Sequence, residues 1–405
     1  HKQDMDKTNW FKIWVAFLAG CVASFQLGKM AASLALIIDE FNLSVFDAGL
    51  VVSLLTLTGA ICGALVGLSA DRYGHLRLAM IGLLVSACGS FYGAFSFQET
   101  ELLFSRFIEG MGLILVIVAL PSLIGRSSTN HSRPLAMGLW GAFMPAGIGV
   151  SMLISPTIIS WHGWRGLWID VGVLFLITAL GLYLVFRKDA PAASQAAPKL
   201  ELLSNAFKPG PLLVVGCFLC YSALFVPLTQ FFPTLLVTSY EFTLANAAYL
   251  GTIIVLFNIF GNVAAGYLVR FGLAPWKILL SAFVIAGCSA LMVYAEFVGP
   301  WMKLVAGIVF SIAGGLVPGT AFVLAAGFAL KPTHMALIAG MLLQGAGIGQ
   351  TMGPIVVSSL VDYFGNWTAA GIEVATVSTV GIICTLLLRK VVNQNSRIPT
   401  PVRQT

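Results

Sequence analysis

The sequence predicts an all-α membrane protein of twelve transmembrane helices. Three observations carry this. Of 405 residues, 58% are apolar and 9% charged, with mean hydropathy +0.93; a soluble chain carries about 25% charged residues. The apolar residues come in runs near the ~20 residues that a bilayer core demands of a helix. Eighteen of the 22 Lys and Arg residues gather on alternate connections, as the positive-inside rule requires.

In order, the spans fall at 11–38, 46–70, 76–97, 102–124, 134–160 and 166–186, then at 210–237, 244–269, 275–295, 300–329, 335–361 and 367–388. The first is too long, and too polar within, to read as a cleavable leader. The second and third meet at a charged corner, Asp71-Arg72-Tyr-Gly74-His-Leu-Arg77. The fifth and sixth meet at Trp161-His-Gly-Trp164-Arg165, and the last two at Tyr363-Phe-Gly-Asn366. With the N terminus inside, every Lys and Arg except Lys29, Arg106, Arg165 and Lys303 is cytosolic. Asp39, Glu40, Asp47, Glu99, Glu101, Glu241, Glu296 and Asp362 mark the outer ends. Both termini are therefore expected in the cytoplasm, in a multi-pass protein of the inner membrane. Arg165 and Lys303 sit near outer helix ends, where long side chains snorkel.

The formal charge of +6 forms no stripe, so no nucleic-acid partner is expected. All seven cysteines lie in apolar segments, and Cys217-x-x-Cys220 reads as apolar filling. No two histidines share metal-ligand spacing on one helix, and no phosphate-binding Gly-x-x-x-x-Gly-Lys motif is present. Neither metal, cofactor, ATP-driven step nor enzymatic activity is expected.

The chain repeats itself. Residues 187–209 form an Ala/Pro/Ser-rich linker after the sixth span. The corner at 63–77 is echoed at Gly261–Gly272, with Arg270 but without the acid, and Pro156 before the 161–165 turn is echoed by Pro354 before Tyr363–Trp367. Six-plus-six repeats with a linker are a transporter architecture. Ahead of the corner, Gly59, Gly63 and Gly67 recur at every fourth residue, which lets a neighbouring helix approach closely.

Gly67-x-x-x-Asp71-Arg72-x-Gly74 with Arg77, and Arg106-Phe-Ile-Glu109-Gly110-Met-Gly112, resemble the loop 2–3 and fourth-helix signatures of the major facilitator superfamily. His75 and Leu76 stand where that family has basic residues, and Glu109 where it has Gln. Gly141-Ala-Phe-Met-Pro145-Ala-Gly147 matches the family's antiporter motif poorly. Gln344-Gly-Ala-Gly-Ile-Gly349-Gln350-Thr-Met-Gly353-Pro354 and Gly163-Trp164-Arg165 look like the cyanate-permease-like branch. The resemblance covers essentially the whole chain. It implies two pseudo-symmetric six-helix bundles, 1–186 and 210–405, joined by the cytosolic linker 187–209, with helices 1, 4, 7 and 10 lining a central cavity. It also implies that the corner gates the cytosolic side. Asp71 would dock on the positive N-terminal end of span eleven, near Lys331–Met335, with Arg72, Gly74 and Arg77 completing the latch.

An ionisable group at mid-membrane is costly and marks a candidate site. Lys29 lies near mid-depth with Gln26 about one turn earlier; an ammonium aimed into the cavity would contact an anion, and pairing with Asp39 or Glu109 is the structural alternative. Arg106 and Glu109 share a face of span four, and Glu109 with Arg106 is the candidate proton-coupling pair. Tyr221, Phe225 and Gln230 on span seven, Ser311 on span ten and Gln344 on span eleven complete the substrate-binding candidates, while Asn258 and Asn262 read as helix-joining amides. Asp170 is expected to pair with Arg165, and Glu373 reads as an interfacial or helix-capping acid. The function expected is a monomeric secondary transporter that moves a small-to-medium organic anion by alternating access, coupled to protons. The alternative is a proton-driven exporter of amphipathic compounds, which would show an apolar, aromatic-rich cavity and a Lys29 neutralised by an acid. A transport-dead receptor or scaffold is the remaining reading.

Overall fold

Charged hairpins and left-handed residues end the helices close to where the hydropathy runs end. The computed structural model describes residues 8–129, 132–189, 207–328 and 332–395. The first half holds α1 (Trp10–Phe41), α2 (Val45–Tyr73), α3 (His75–Ala94), α4 (Glu99–Ser127), α5 (Arg133–Gly141) and α6 (Phe143–Phe186). The second holds α7 (Pro209–Tyr240), α8 (Leu244–Arg270), α9 (Pro275–Tyr294), α10 (Pro300–Phe328), α11 (Pro332–Phe364), a 3₁₀ turn (Trp367–Ala369) and α12 (Ala370–Asn395).

Span five differs from the expected single helix. It breaks at Ala142, which takes φ −91° and ψ −2° between α5 and α6. α6 then continues through span six, turning back at Gly163 with φ +70°. Ten helices among the described residues are long and apolar enough to cross a membrane. α6 is two spans, and α11, 33 residues long, completes the twelve.

The internal repeat is visible in the backbone. Six described residues have positive φ, and they form three pairs about 200 residues apart: Asn42 with Glu241, Gly74 with Gly272, and Gly163 with Gly365. Each pair turns equivalent hairpins of the two bundles. Only glycine takes such angles without steric penalty, which explains the glycine in the charged corner: Gly74 sits at φ +86°.

The hairpin topology puts the start of α1 and the end of α12 on one face, the terminal face, and the α1–α2 and α7–α8 turns on the far face. The two bundles meet through α2 against α11, α6 against α8 and α1 against α7. On the far side this contact is tight. A Cβ built on Gly49 falls 1.9 Å from Ser358 Oγ and 2.6 Å from its Cβ, and one on Gly251 falls 2.6 Å from Met152. Nearer mid-depth, the hydroxyls of Thr56 and Thr351 are 3.1 Å apart and Gln344 donates to the Ala60 carbonyl at 3.2 Å. The far face is closed. Gly49→Val cannot keep this closure, so it is expected to shift the protein toward a far-face-open state. Alkylation of a cysteine introduced at Ser358 in that background should rise at least several-fold over the same cysteine beside Gly49.

Two sequence expectations about the corner meet different outcomes. A Cβ on Gly59 or Gly63 would meet only Ile114 Cδ1, at 3.6 and 3.9 Å; the close neighbour at Gly59 is α11, where a Cβ on Gly347 would fall 2.9 Å from the Gly59 carbonyl carbon. The close approach of α2 to α4 falls instead at Gly110, whose Cβ would meet the Leu55 carbonyl at 2.1 Å. The spacing showed a stripe of small residues but not which helix faced it. The side chains of Asp71 and Arg72, and those at 331–335, lie outside the described residues, as does the linker from 190 to 206. Arg77 is exposed.

Two far-face cations also differ from the snorkelling expectation. Arg165 pairs with Glu40 and donates to the Ser96 carbonyl at 2.7 Å, while Trp164 Nε1 donates to the same Glu40 at 2.5 Å. Asp170 faces His162 instead, at 4.0 Å. Lys303 turns inward and donates to the Val293 and Ala295 carbonyls, each at 2.6 Å. A cation at a helix C-terminus satisfies carbonyls that lack intrahelical donors.

Candidate functional site

Two polar features lie inside the first bundle and between the bundles, and they are separate. The first is a sealed ion cluster. Lys29, Arg106 and Glu109 are all fully buried. Lys29 Nζ donates to Glu109 Oε1 at 2.5 Å and to Ser90 Oγ at 2.7 Å. Ser90 in turn donates to the Trp168 carbonyl at 2.7 Å, and the Trp168 ring lies 4.3 Å from the ammonium. Arg106 pairs with the other oxygen of Glu109, and donates to the Gln26 carbonyl at 3.1 Å and the Val51 carbonyl at 3.3 Å. One carboxylate thus holds two cations and ties α1, α2, α3, α4 and α6 together.

This arrangement answers the expectation for Lys29. Its ammonium does not point into the cavity between the bundles; it points into the first bundle and is neutralised by Glu109. Periodicity fixed the depth of Lys29 but not its azimuth relative to a helix 80 residues away. Gln26 contributes its backbone carbonyl to Arg106, and its side-chain amide is buried with neither atom hydrogen-bonded.

The second feature is a cavity between the bundles, on the terminal side of the α2–α11 contact. Its enclosed volume is about 150 Å³, and it widens toward an open mouth. Its first-bundle wall comes from α2, α4, α5 and α6, including Gly59, Ile114, Trp140 and Phe143. Its second-bundle wall comes from α7, α8, α10 and α11, including Phe218, Tyr221, Phe225 and Phe322. The rings form a continuous ladder. Centroids are 6.1 Å apart for Phe218–Tyr221, 5.5 Å for Tyr221–Phe225 and 6.0 Å for Phe218–Phe322, with Trp140 stacked on Phe143 at 4.1 Å across the cavity's other wall. Among the described residues, none that line it is charged.

A small amide network gives the cavity direction. Tyr221 donates from its hydroxyl to Asn258 Oδ1 at 3.3 Å, and Asn262 Nδ2 donates to the same oxygen at 2.9 Å. Asn258 Nδ2 donates to the Ser311 carbonyl at 3.0 Å. Asn258 therefore joins α8 to α7 and α10, Asn262 braces it from one turn along the same helix, and both line the cavity. Asn258→Leu would leave the buried Tyr221 hydroxyl without its acceptor and take a side-chain donor from the Ser311 carbonyl, and an unsatisfied buried group costs about 1–3 kcal/mol. The variant is expected to lose several degrees of melting temperature in a fluorescence-based unfolding scan.

Of the remaining candidates, Tyr221 and Phe225 line the cavity. Gln230 is buried further toward the far face with its Oε1 unbonded, and the Ser311 hydroxyl is buried and unbonded; neither lines the cavity. Gln344 bridges the bundles through Ala60. Sequence reasoning passed over Trp140, Phe143, Phe218 and Phe322. Their signal was present as aromatic spacings of three around 140–143 and 218–221. The glycines of the 344–354 segment pack helices: Gly347 lies against Ala60, Gly349 against the Leu219 carbonyl and Gly353 against the Ala223 carbonyl.

Comparison with known proteins gives this geometry a context. Residues 16–341 match the Major Facilitator Superfamily. The cis,cis-muconate transport protein of Acinetobacter baylyi is 32% identical over 200 residues, 48% of each chain. Quinolone resistance protein NorB of Staphylococcus aureus is 24% identical over 175 residues, 43% of this chain and 37% of that one. The chain thus spans half or less of the length of these relatives. The crystal structure of a bacterial homolog of the human lysosomal transporter Spinster, inward-facing and unoccupied, superposes with a TM-score of 0.77 at 15% identity, covering 94% of this chain and 97% of the other. With twelve spans in two repeated bundles around an inter-bundle cavity, and a family match over most of its length, this chain belongs to the Major Facilitator Superfamily of transporters.

Proposed function

We propose that the protein moves amphipathic, aromatic small molecules across the inner membrane by alternating access, driven by protons, with both termini in the cytosol. The observation that carries this reading is the cavity wall: six aromatic rings with Asn258 and Asn262 and, among the described residues, no charged side chain. Such a surface binds a flat, apolar ligand by ring contact and orients one polar group by hydrogen bonds. Among the described residues an anion would find no cation there, because Lys29 and Arg106 are spent on Glu109. The relative named for quinolone resistance fits the same chemistry.

The organic-anion reading has one observation in its favour, the muconate transport protein among the relatives. It requires the Lys29–Glu109 pair to open toward the cavity. Transport separates the two. In proteoliposomes with an imposed pH gradient, a fluorescent quinolone should accumulate and muconate should not. Accumulation of muconate alone would establish the anion reading in place of this one.

A further inference from the structure

The second bundle contains an acid that the mechanism above does not use. We propose that Glu373 is a proton-binding site, loaded while the far face is closed and emptied when water reaches the first turn of α12.

Glu373 lies in that first turn, yet it is only 4% exposed. Among the described residues neither carboxylate oxygen has a hydrogen-bond partner. The contrast with Glu109 is direct: that carboxylate accepts from two cations, while Glu373 faces none. Its neighbours confirm the lack of positive charge. α7, packed along α12, contains no Lys, Arg or His and brings Cys220 within electrostatic reach. α9 brings Tyr294, whose buried hydroxyl also lacks a partner. The Lys of α9, Lys277, sits at the opposite end of that helix, beside Trp276. α11 carries Asp362, exposed at the far end, and His334, whose side chain lies outside the described residues. On α12 itself, Arg389 is stacked over Trp276 some four turns away. The 3₁₀ turn has no ionisable side chain.

A bare carboxylate in a dry membrane interior is strongly disfavoured, and an unpaired group of this kind neutralises by taking up a proton. The positive end of α12 favours the ionised form, but no first-turn N–H bonds to it. The neutral acid gains one O–H donor, and the Tyr294 hydroxyl is a partner of matching type. The step is balanced by water alone: the carboxylate takes one proton from solvent and returns it. Because Glu373 is one turn below the far face, opening that face is what restores its contact with water. This inference does not depend on the identity of the transported molecule.

The test is infrared spectroscopy of the purified protein in lipid nanodiscs at neutral pH. Wild type should show a protonated-carboxyl C=O band that shifts in D₂O, is missing in Glu373→Gln and is displaced in Glu373→Asp. In the Gly49→Val background, that band should exchange with D₂O at least tenfold faster. Labelling wild type with dicyclohexylcarbodiimide, an apolar reagent that adds to protonated carboxyls, needs no folded variant. Peptide mass spectrometry should place the adduct on Glu373 and not on Glu109 or Glu241. Identical acid bands in wild type and Glu373→Gln, an unlabelled Glu373, or a carboxylate band at Glu373 that responds to sodium would each overturn the assignment.

Discussion

Glu109→Gln should remove most of the folded protein from the membrane. The change leaves Lys29 and Arg106 as two buried cations with no counter-charge. Removing one partner of a buried ion pair costs about 3–5 kcal/mol, a large share of the roughly 5–15 kcal/mol that holds a domain folded. Lys29→Met should do far less damage, because it leaves Arg106 and Glu109 as a balanced pair and puts an apolar chain beside Trp168. Size-exclusion profiles of detergent-extracted protein would rank the two: Glu109→Gln aggregated, Lys29→Met largely monodisperse. Equal loss in both would show that the cluster is not held by charge balance. The same logic bears on coupling. Proton uptake by Glu109 would require Lys29 or Arg106 to leave it, so any proton cycle there must move α1 or α4.

Phe225→Ala should cut transport of an aromatic compound by tenfold or more. Phe225 stacks on Tyr221 and on Phe310, with centroids 5.5 and 6.5 Å apart, and its ring faces the cavity. Removing it takes away the ligand contact and breaks the ladder. A ring contact of this kind is worth about 0.5–1.5 kcal/mol beyond the area it buries, and the lost burial adds about 1.5–3 kcal/mol. Initial rates in proteoliposomes, compared with Phe225→Tyr, would read the effect; the tyrosine keeps the ring and should retain most of the activity.

Much of this molecule can be read from its sequence, and the limits have physical causes. Hydropathy located the spans because backbone polar groups in lipid force continuous helices. It missed the break at Ala142 because nothing in Trp140-Gly-Ala-Phe143 differs in polarity from the helix around it. Lys29, Arg106 and Glu109 stood out because charges inside a membrane are rare. What a side chain touches is a property of helices far apart in sequence, so the pairing of Lys29 with Glu109 stood only as one alternative among several. Glu373 shows the same limit from the other side: its place near a helix end suggested an interfacial acid, and only the packing of α7 and α9 reveals that it is sealed. The aromatic ladder was half visible. Tyr221 and Phe225 share a face of one helix, but Phe322 joins them through the packing of α10 beside α7, and Trp140 and Phe143 face them only across the inter-bundle cavity.

The account stands on the claim that the uncharged aromatic cavity is the binding site. Trp140 lies in its wall and reports on it directly. The measurement is the fluorescence of purified protein titrated with a quinolone and, separately, with muconate, taken as the difference between wild type and Trp140→Phe. The account predicts saturable quenching by the quinolone that disappears in Trp140→Phe, and no response to muconate. A saturable response to muconate with none to the quinolone would contradict it.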